Sequence, residues 1–201
     1  MGGELDAAGR RRSIGARRNP ATEAAVLSAA RELLAERGYA GFTVDEVARR
    51  ANAGKPSLYR WWPTRAHLLR AVYEADRAAR LPEPDTGKVQ DDLTALTRAL
   101  LTAWRETPSG QALRGLVSEA QGSEAALLLL WTEFLPDWLR PVRAMLGRAA
   151  ARNQVDAADI DALVELYSGF LWRRLLTGQI DDDRAGIERV ARLLASGRGR
   201  K

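Results

Sequence analysis

The residues whose types and spacing suit a chemical task lie between Thr43 and Arg65, in the run TVDEVARRANAGKPSLYRWWPTR. Lys55, Arg60 and Arg65 carry positive charge. Thr43 and Tyr59 offer hydroxyls and Trp61 an indole N–H, all able to donate to phosphate oxygens. Cations that neutralise phosphates release the counterions condensed on a duplex, which makes such binding salt-dependent. Ser57 and the apolar ring of Pro56 are the groups best placed to touch base edges. Pro56 costs little near a helix start, where its missing N–H would have had no helical partner, though it removes one phosphate donor. The chemistry these groups point to is recognition of a nucleic acid.

Two short helices joined by a tight turn would position them. Thr43 and Glu46 form a capping box (T-x-x-E) at the start of one helix, with Val44, Val47, Ala48 and Ala51 as its apolar stripe. Asn52-Ala53-Gly54 makes the turn, and Asn52 tolerates a left-handed backbone. The next helix runs from about Lys55 to Trp61, with Leu58 and Trp62 four apart and facing a core, and Pro63 stops it. In a helix-turn-helix the second helix enters the major groove N-terminus first. The helix starts at Thr43, Lys55 and Arg65 also present unpaired N–H groups and a positive dipole end to a phosphate. A competing reading makes Tyr59, Trp61 and Trp62 plain core aromatics. It is accepted for Trp62, which shares a face with Leu58; for Tyr59 and Trp61 it would require the short helix to hide three faces.

Composition agrees with this. The chain has 201 residues, 46% of them apolar and 28% charged, which fits a folded globular protein of one good-sized or two small domains. Residues 1–80 hold 15 Lys/Arg against 9 Asp/Glu, whereas residues 81–201 hold 16 against 17. The excess positive charge therefore lies wholly in the N-terminal part, as expected of a surface that meets a polyanion. A solvated, arginine-biased surface is the plainer alternative, since 28 of the 31 basic residues are Arg. No apolar run approaches the roughly 18 to 20 residues of a membrane span, and the basic N-terminus lacks the apolar segment of a secretory signal. Cysteine is absent, which removes disulfides and thiolate chemistry. A cytoplasmic protein with no membrane partner and no cofactor is expected.

Along the chain, residues 1–18 read as a disordered basic arm. A first helix starts at about Pro20, capped by Asn19, carries Val26, Ala30, Leu33 and Leu34, and ends at Gly38. A connecting helix capped by Thr64 spans residues 65–80, with Leu68, Leu69, Val72 and Tyr73 inward. The segment 81–87, LPEPDTG, is the expected domain boundary. Beyond it, helical periodicity fills about 88–106, 109–121, 124–134, 138–153, 159–178 and 183–196, with Pro136 as a candidate helix break. The expected fold is all-α, with a three-helix DNA-binding domain over 19–64 and a helical domain over 81–201.

The run GYAGFTVDEVARRANAGKPSLYRWWPTRAHLL resembles the N-terminal domain of TetR-family (AcrR-like) transcriptional regulators. Gly38, Tyr39, Thr43, Val47, Ala48, Leu58, Tyr59, Trp62, Pro63 and Leu68 follow the family's pattern in order. The resemblance covers residues 20–75 strongly, and the remainder is similar to the family's variable ligand-binding and dimerisation domain. It implies DNA contacts at Thr43, Lys55, Ser57, Tyr59, Trp61 and Arg65. This chain departs from the pattern at Asn52 in place of the turn glycine, at Gly54 in place of a serine or threonine cap, at Trp61 where histidine is frequent, and at Arg65 in place of lysine. The family's usual mode, repression released by a ligand, is the implied mechanism.

In the C-terminal half, residues 159–178 are apolar on more than one face. With the amphipathic helix at 183–196 they suit a four-helix interface across a two-fold axis. Leu163, Leu166, Leu171, Ile187, Val190 and Leu194 are the expected dimer residues, and Ser168-Gly169 would permit close helix approach. A homodimer reads two half-sites, so a palindromic double-stranded operator follows. Trp104, Leu127, Trp131, Phe134, Trp138, Tyr167 and Phe170 are candidates to line a cavity for a small hydrophobic or aromatic effector, a cavity implied mainly by the family. An enzyme is disfavoured: there is one histidine, His67, and no H-E-x-x-H, phosphate loop or nucleophile elbow. Asp181-Asp182-Asp183 reads as a helix cap before it reads as a metal site. The remaining alternative is a helical interaction module without specific DNA binding.

Overall fold

A computed structural model describes residues 19–196, and the expected basic arm lies outside them. Among the described residues all regular structure is helical. Helix α1 (Pro20–Arg37) starts where the Asn19 side chain accepts from the Ala21 N–H at 3.0 Å, with proline in the first turn. It ends at Gly38, whose φ of 62° is the left-handed conformation that favours glycine. Helix α2 (Val44–Arg50) is capped by Thr43, whose hydroxyl accepts from the Glu46 N–H at 3.2 Å. Asn52 turns the chain with φ 48°, as the sequence leads one to expect. Helix α3 (Lys55–Trp61) follows, and Thr64 caps α4 (Arg65–Arg80).

Val26, Leu33 and Leu34 of α1, Phe42, Val47 of α2, Leu58 and Trp62 at α3, and Leu68, Leu69 and Val72 of α4 are buried in one core. Polar links close it from outside. Arg50 donates to Glu36 of α1 at 2.7 Å and to Glu46 at 3.2 Å, and Arg49 donates to both oxygens of Glu46. These guanidinium hydrogen bonds pull the Glu46 carboxyl down to about 2. Arg31 of α1 donates to Asp76 of α4 at 2.5 Å.

The other face of α4 packs along α6, so this helix belongs to both halves of the molecule. The second half comprises α5 (Val89–Glu106), α6 (Ser109–Gly122), α7 (Glu124–Leu129), α8 (Leu135–Ala151), α9 (Ile160–Thr177) and α10 (Arg184–Ala195). The segment before α5 is tied down by the buried Asp92, which accepts from the Thr86 N–H and hydroxyl at 2.8 and 2.7 Å. Pro136 breaks no helix. A wide π turn over Leu130–Phe134 joins α7 to α8 as one rod, and the Leu135 N–H bonds to the Leu130 carbonyl five residues back. The irregular turn falls just before the residue that cannot donate, so the ladder resumes beyond it. An aromatic seam crosses this region: Tyr73 meets Phe134 edge-on at 5.3 Å, Phe134 stacks on Trp138, and Trp138 contacts Trp172 at 5.5 Å.

Four of the residues expected at a dimer interface lie in the protomer's own core. Leu163 and Leu171 of α9, and Ile187 and Leu194 of α10, are buried. The reason is geometric: α10 lies against α5, and α9 against α8 and α6, which consumes one apolar stripe of each helix. Leu166 remains 64% exposed and Val190 half-buried, and Leu176 and Leu193 are also exposed. Gly169 has open space around it rather than a neighbouring helix. Asp183 caps α10 by accepting from the Gly186 N–H at 3.0 Å, and receives Arg174 at 3.0 Å; Asp182 pairs with Arg98.

A Cβ on Gly115 of α6 would stand 2.6 Å from the Tyr39 ring, whereas one on Gly147 of α8 meets open space. Gly115→Ala is therefore expected to lower unfolding free energy by about 1–3 kcal/mol, and Gly147→Ala to raise it by about 0.5–1 kcal/mol, both read from urea unfolding midpoints. The Glu46 pKa is depressed in the folded chain, so its stabilisation is present above the unfolded value of about 4.3 and is lost as pH falls through about 2. Glu46→Gln should lower Tm at pH 7, with the gap to the unsubstituted chain closing as pH falls below about 4.

Candidate nucleic-acid interface

Helix α3 has seven residues, and its orientation is set by Leu58 within it and Trp62 at its end. Leu58 and Trp62 are almost fully buried, which turns Lys55, Pro56, Tyr59 and Arg60 outward to solvent. Ser57 and Trp61 are half-buried. Trp61 meets the Trp62 ring edge-on at 5.8 Å, so it lies at the margin of the core rather than projecting freely. Thr43, at the start of α2, is exposed; its oxygen caps the helix, which leaves the hydroxyl hydrogen for an outside acceptor.

The cations of this face are mostly engaged within the protein. Lys55 Nζ lies 2.7 Å from Asp45 Oδ2, and the Tyr59 hydroxyl donates to Asp45 Oδ1 at 3.2 Å. The Lys55 hydrogen bond, with a smaller one from Tyr59, holds the Asp45 carboxyl below the usual carboxylate range. The same contact raises the Lys55 ammonium above its ordinary value. Arg60 has no ion pair among the described residues.

Arg65 departs most from its expected role. Its guanidinium sits 4.5 Å above the Tyr39 ring and donates to the Tyr39 hydroxyl at 2.7 Å, to the Phe42 carbonyl at 3.3 Å and to Glu119 of α6. Tyr39 also donates to Glu119, and burial, with that carboxylate next, raises the Tyr39 phenol above its usual range. Arg65 is thus held by the junction between the two halves instead of being presented outward. Glu119 lies 54 residues away in sequence, and no local pattern announces the pairing.

A cavity of about 480 Å³ opens in the second half, between α4, α5, α8 and α9. Leu96, Leu100, Trp138, Val142, Tyr167 and Leu171 form its apolar wall, and Glu74, Arg77, Asp137 and Arg140 add charge. Of the seven residues expected to line it, Trp138 and Tyr167 do. Trp104 and Phe134 are instead packed in the core, and Phe170 lies under the Arg174 guanidinium at 4.9 Å. Leu127 and Trp131 point to solvent from the α7 side, Trp131 being 65% exposed. The opening falls where this apolar wall meets the charged side chains of α4 and α8. Leu96 and Leu100, four apart on α5, join this wall although they are not among the residues expected to line it. The Trp138 indole donates to the Tyr73 hydroxyl at 2.7 Å, linking the cavity wall to α4. Burial pushes the Tyr73 phenol up to about 12, so it stays neutral.

Comparisons with known proteins fit this geometry. Residues 26–72 match the family model described as bacterial regulatory proteins, tetR family, and residues 83–194 match the tetracyclin repressor-like C-terminal domain. An HTH-type transcriptional regulator of Bacillus subtilis, YdeS, is 30% identical over 83% of this chain and 84% of its own length. A DNA-binding transcriptional repressor, TetR, of Mycobacteroides abscessus is 30% identical over 82% of this chain and 88% of its own. The crystal structure of a TetR family transcription regulator superposes with a TM-score of 0.73 at 30% identity, covering 88% of this chain and 97% of that one. BioQ, crystallised with its double-stranded DNA operator, shares the fold at a TM-score of 0.61 and 22% identity, over 89% of this chain and 99% of that one. The chain belongs to the TetR family of helix-turn-helix transcriptional regulators.

Proposed function

We propose that the chain acts as a homodimeric repressor in which two copies of α3 read the half-sites of a palindromic operator and a small hydrophobic or aromatic effector releases the DNA. The observation that carries this reading is the outward set of Lys55, Pro56, Tyr59 and Arg60 on a short helix anchored by Leu58 and Trp62. Thr43 and Ser57 extend that face, and Trp61 borders it. In this reading residues 19–64 meet the DNA, residues 65–80 connect, and residues 81–201 dimerise and sense. The dimer face takes the exposed apolar residues of α9 and α10, Leu166 and Leu176 on the first and Leu193 with the half-buried Val190 on the second. The effector enters the cavity walled by Trp138 and Tyr167. Because α4 contributes both to that cavity and to the core under α3, a displaced α4 moves the reading helix. The bond from Arg65 to Glu119 is the polar link on that route.

Selection of duplexes from a random pool by the purified protein tests the reading. Enrichment of a palindrome, bound by a dimer with steep salt dependence, is expected; equal weak binding to every duplex would favour an interaction module without specific DNA binding. Lys55→Ala should weaken binding across sequences and lower the salt slope by about one per half-site. Leu166→Glu combined with Leu176→Glu should give a folded monomer in sedimentation that has lost affinity for the palindrome. Among aromatic and aliphatic compounds, a true effector should raise Tm, change the tryptophan fluorescence more in the unsubstituted chain than in Trp138→Phe, and release the duplex.

A further inference from the structure

The exposed face of α2 and α3 carries a carboxylate, Asp45, whose place in the first turn of α2 suits the helix dipole but does not account for its partners. Asp45 is the second residue of α2, and its side chain is about half exposed. It takes no part in the core, which Val44, Val47 and Ala48 supply from the same helix. An ion pair this open to water adds little stability. Yet an anion on a face that meets a polyanion works against binding.

Its contacts show a geometric role. Two donors from α3, one turn apart, converge on the one carboxylate: the Lys55 ammonium at 2.7 Å on Oδ2 and the Tyr59 hydroxyl at 3.2 Å on Oδ1. Two donors meeting on two oxygens of one anion is also how such side chains hold a phosphate of the DNA backbone. A tyrosine has a single O–H hydrogen, so while it is given to Asp45 it cannot be given to a phosphate.

We propose that Asp45 is a built-in competitor for the DNA backbone: its carboxylate occupies, in the free protein, the position that a phosphate takes between Lys55 and Tyr59. A duplex must displace it, and the affinity of the reading face is set by the difference between the two anions. The inference rests on the proposal that α3 meets DNA. It requires no operator, because the competition acts on the backbone of any duplex.

Asp45→Asn keeps the side-chain shape and removes the charge. The experiment is a salt titration of binding to a fixed duplex of arbitrary sequence, by fluorescence anisotropy, with a parallel series on a selected operator. Asp45→Asn is expected to tighten binding to both duplexes by about fivefold or more, the scale of an exposed ion pair counted twice in a dimer. In a Lys55→Gln/Tyr59→Phe background the same substitution should change affinity less than about twofold, since the donors it frees are gone. A gain of equal size in both backgrounds would overturn the proposal, reducing Asp45 to a diffuse repulsive charge. Weaker binding by Asp45→Asn would overturn it too, making Asp45 a buttress that aims Lys55. Should Asp45→Asn fail to fold, Asp45→Ser serves the same cycle. A chain that binds no duplex at all, before any substitution, fails the DNA-binding reading itself and is recognised by that.

Discussion

A helix of seven residues does not hold its shape alone in water, and α3 depends on the burial of Leu58 and Trp62 for its existence as a helix. Those two side chains are set in a core formed by α1, α2 and α4, and they decide which residues face outward. The outward set is therefore a consequence of packing before it is a matter of chemistry. The same α4 that roofs this core lies along α6 and forms part of the cavity wall. The core under α3 and the cavity wall thus share one packed helix.

The second constraint is electrostatic. An isolated sequence suggests that Lys55 and Arg65 stand ready for phosphate. In the folded chain Lys55 is paired with Asp45, and Arg65 is shared between Tyr39, the Phe42 carbonyl and Glu119. Counting basic residues overstates the charge that this face presents. The two cases differ in kind. Lys55 is held by a neighbour on the same exposed face. Arg65 is held from the other half of the molecule, which places it at the mechanical junction.

Much of the fold was legible because local rules decide it. Asn19, Thr43 and Thr64 cap helices by hydrogen bonds that short-range patterns announce, and Gly38 and Asn52 take the left-handed turns their types allow. What local rules do not decide was read less well. Pro136 looked like a break, but a π turn one step earlier absorbs the missing donor. Trp104 and Phe134 looked like cavity residues because they are large, and large residues in a well-packed protein fill the core instead. Leu163, Leu171, Ile187 and Leu194 looked available to a partner, because apolar periodicity marks a buried stripe without saying which neighbour buries it. The links from Arg65 to Glu119 and from Lys55 to Asp45 join different helices, and only the folded chain brings them together.

We propose α2 and α3 as the surface that meets DNA. Amide hydrogen exchange of the protein, alone and saturated with a selected duplex, tests it most directly. Slowed exchange confined to residues 43–65 is expected, with the exposed α7 side around Leu128 and Trp131 unchanged. Protection that appears only in the second half, with residues 43–65 exchanging as in the free chain, would contradict it.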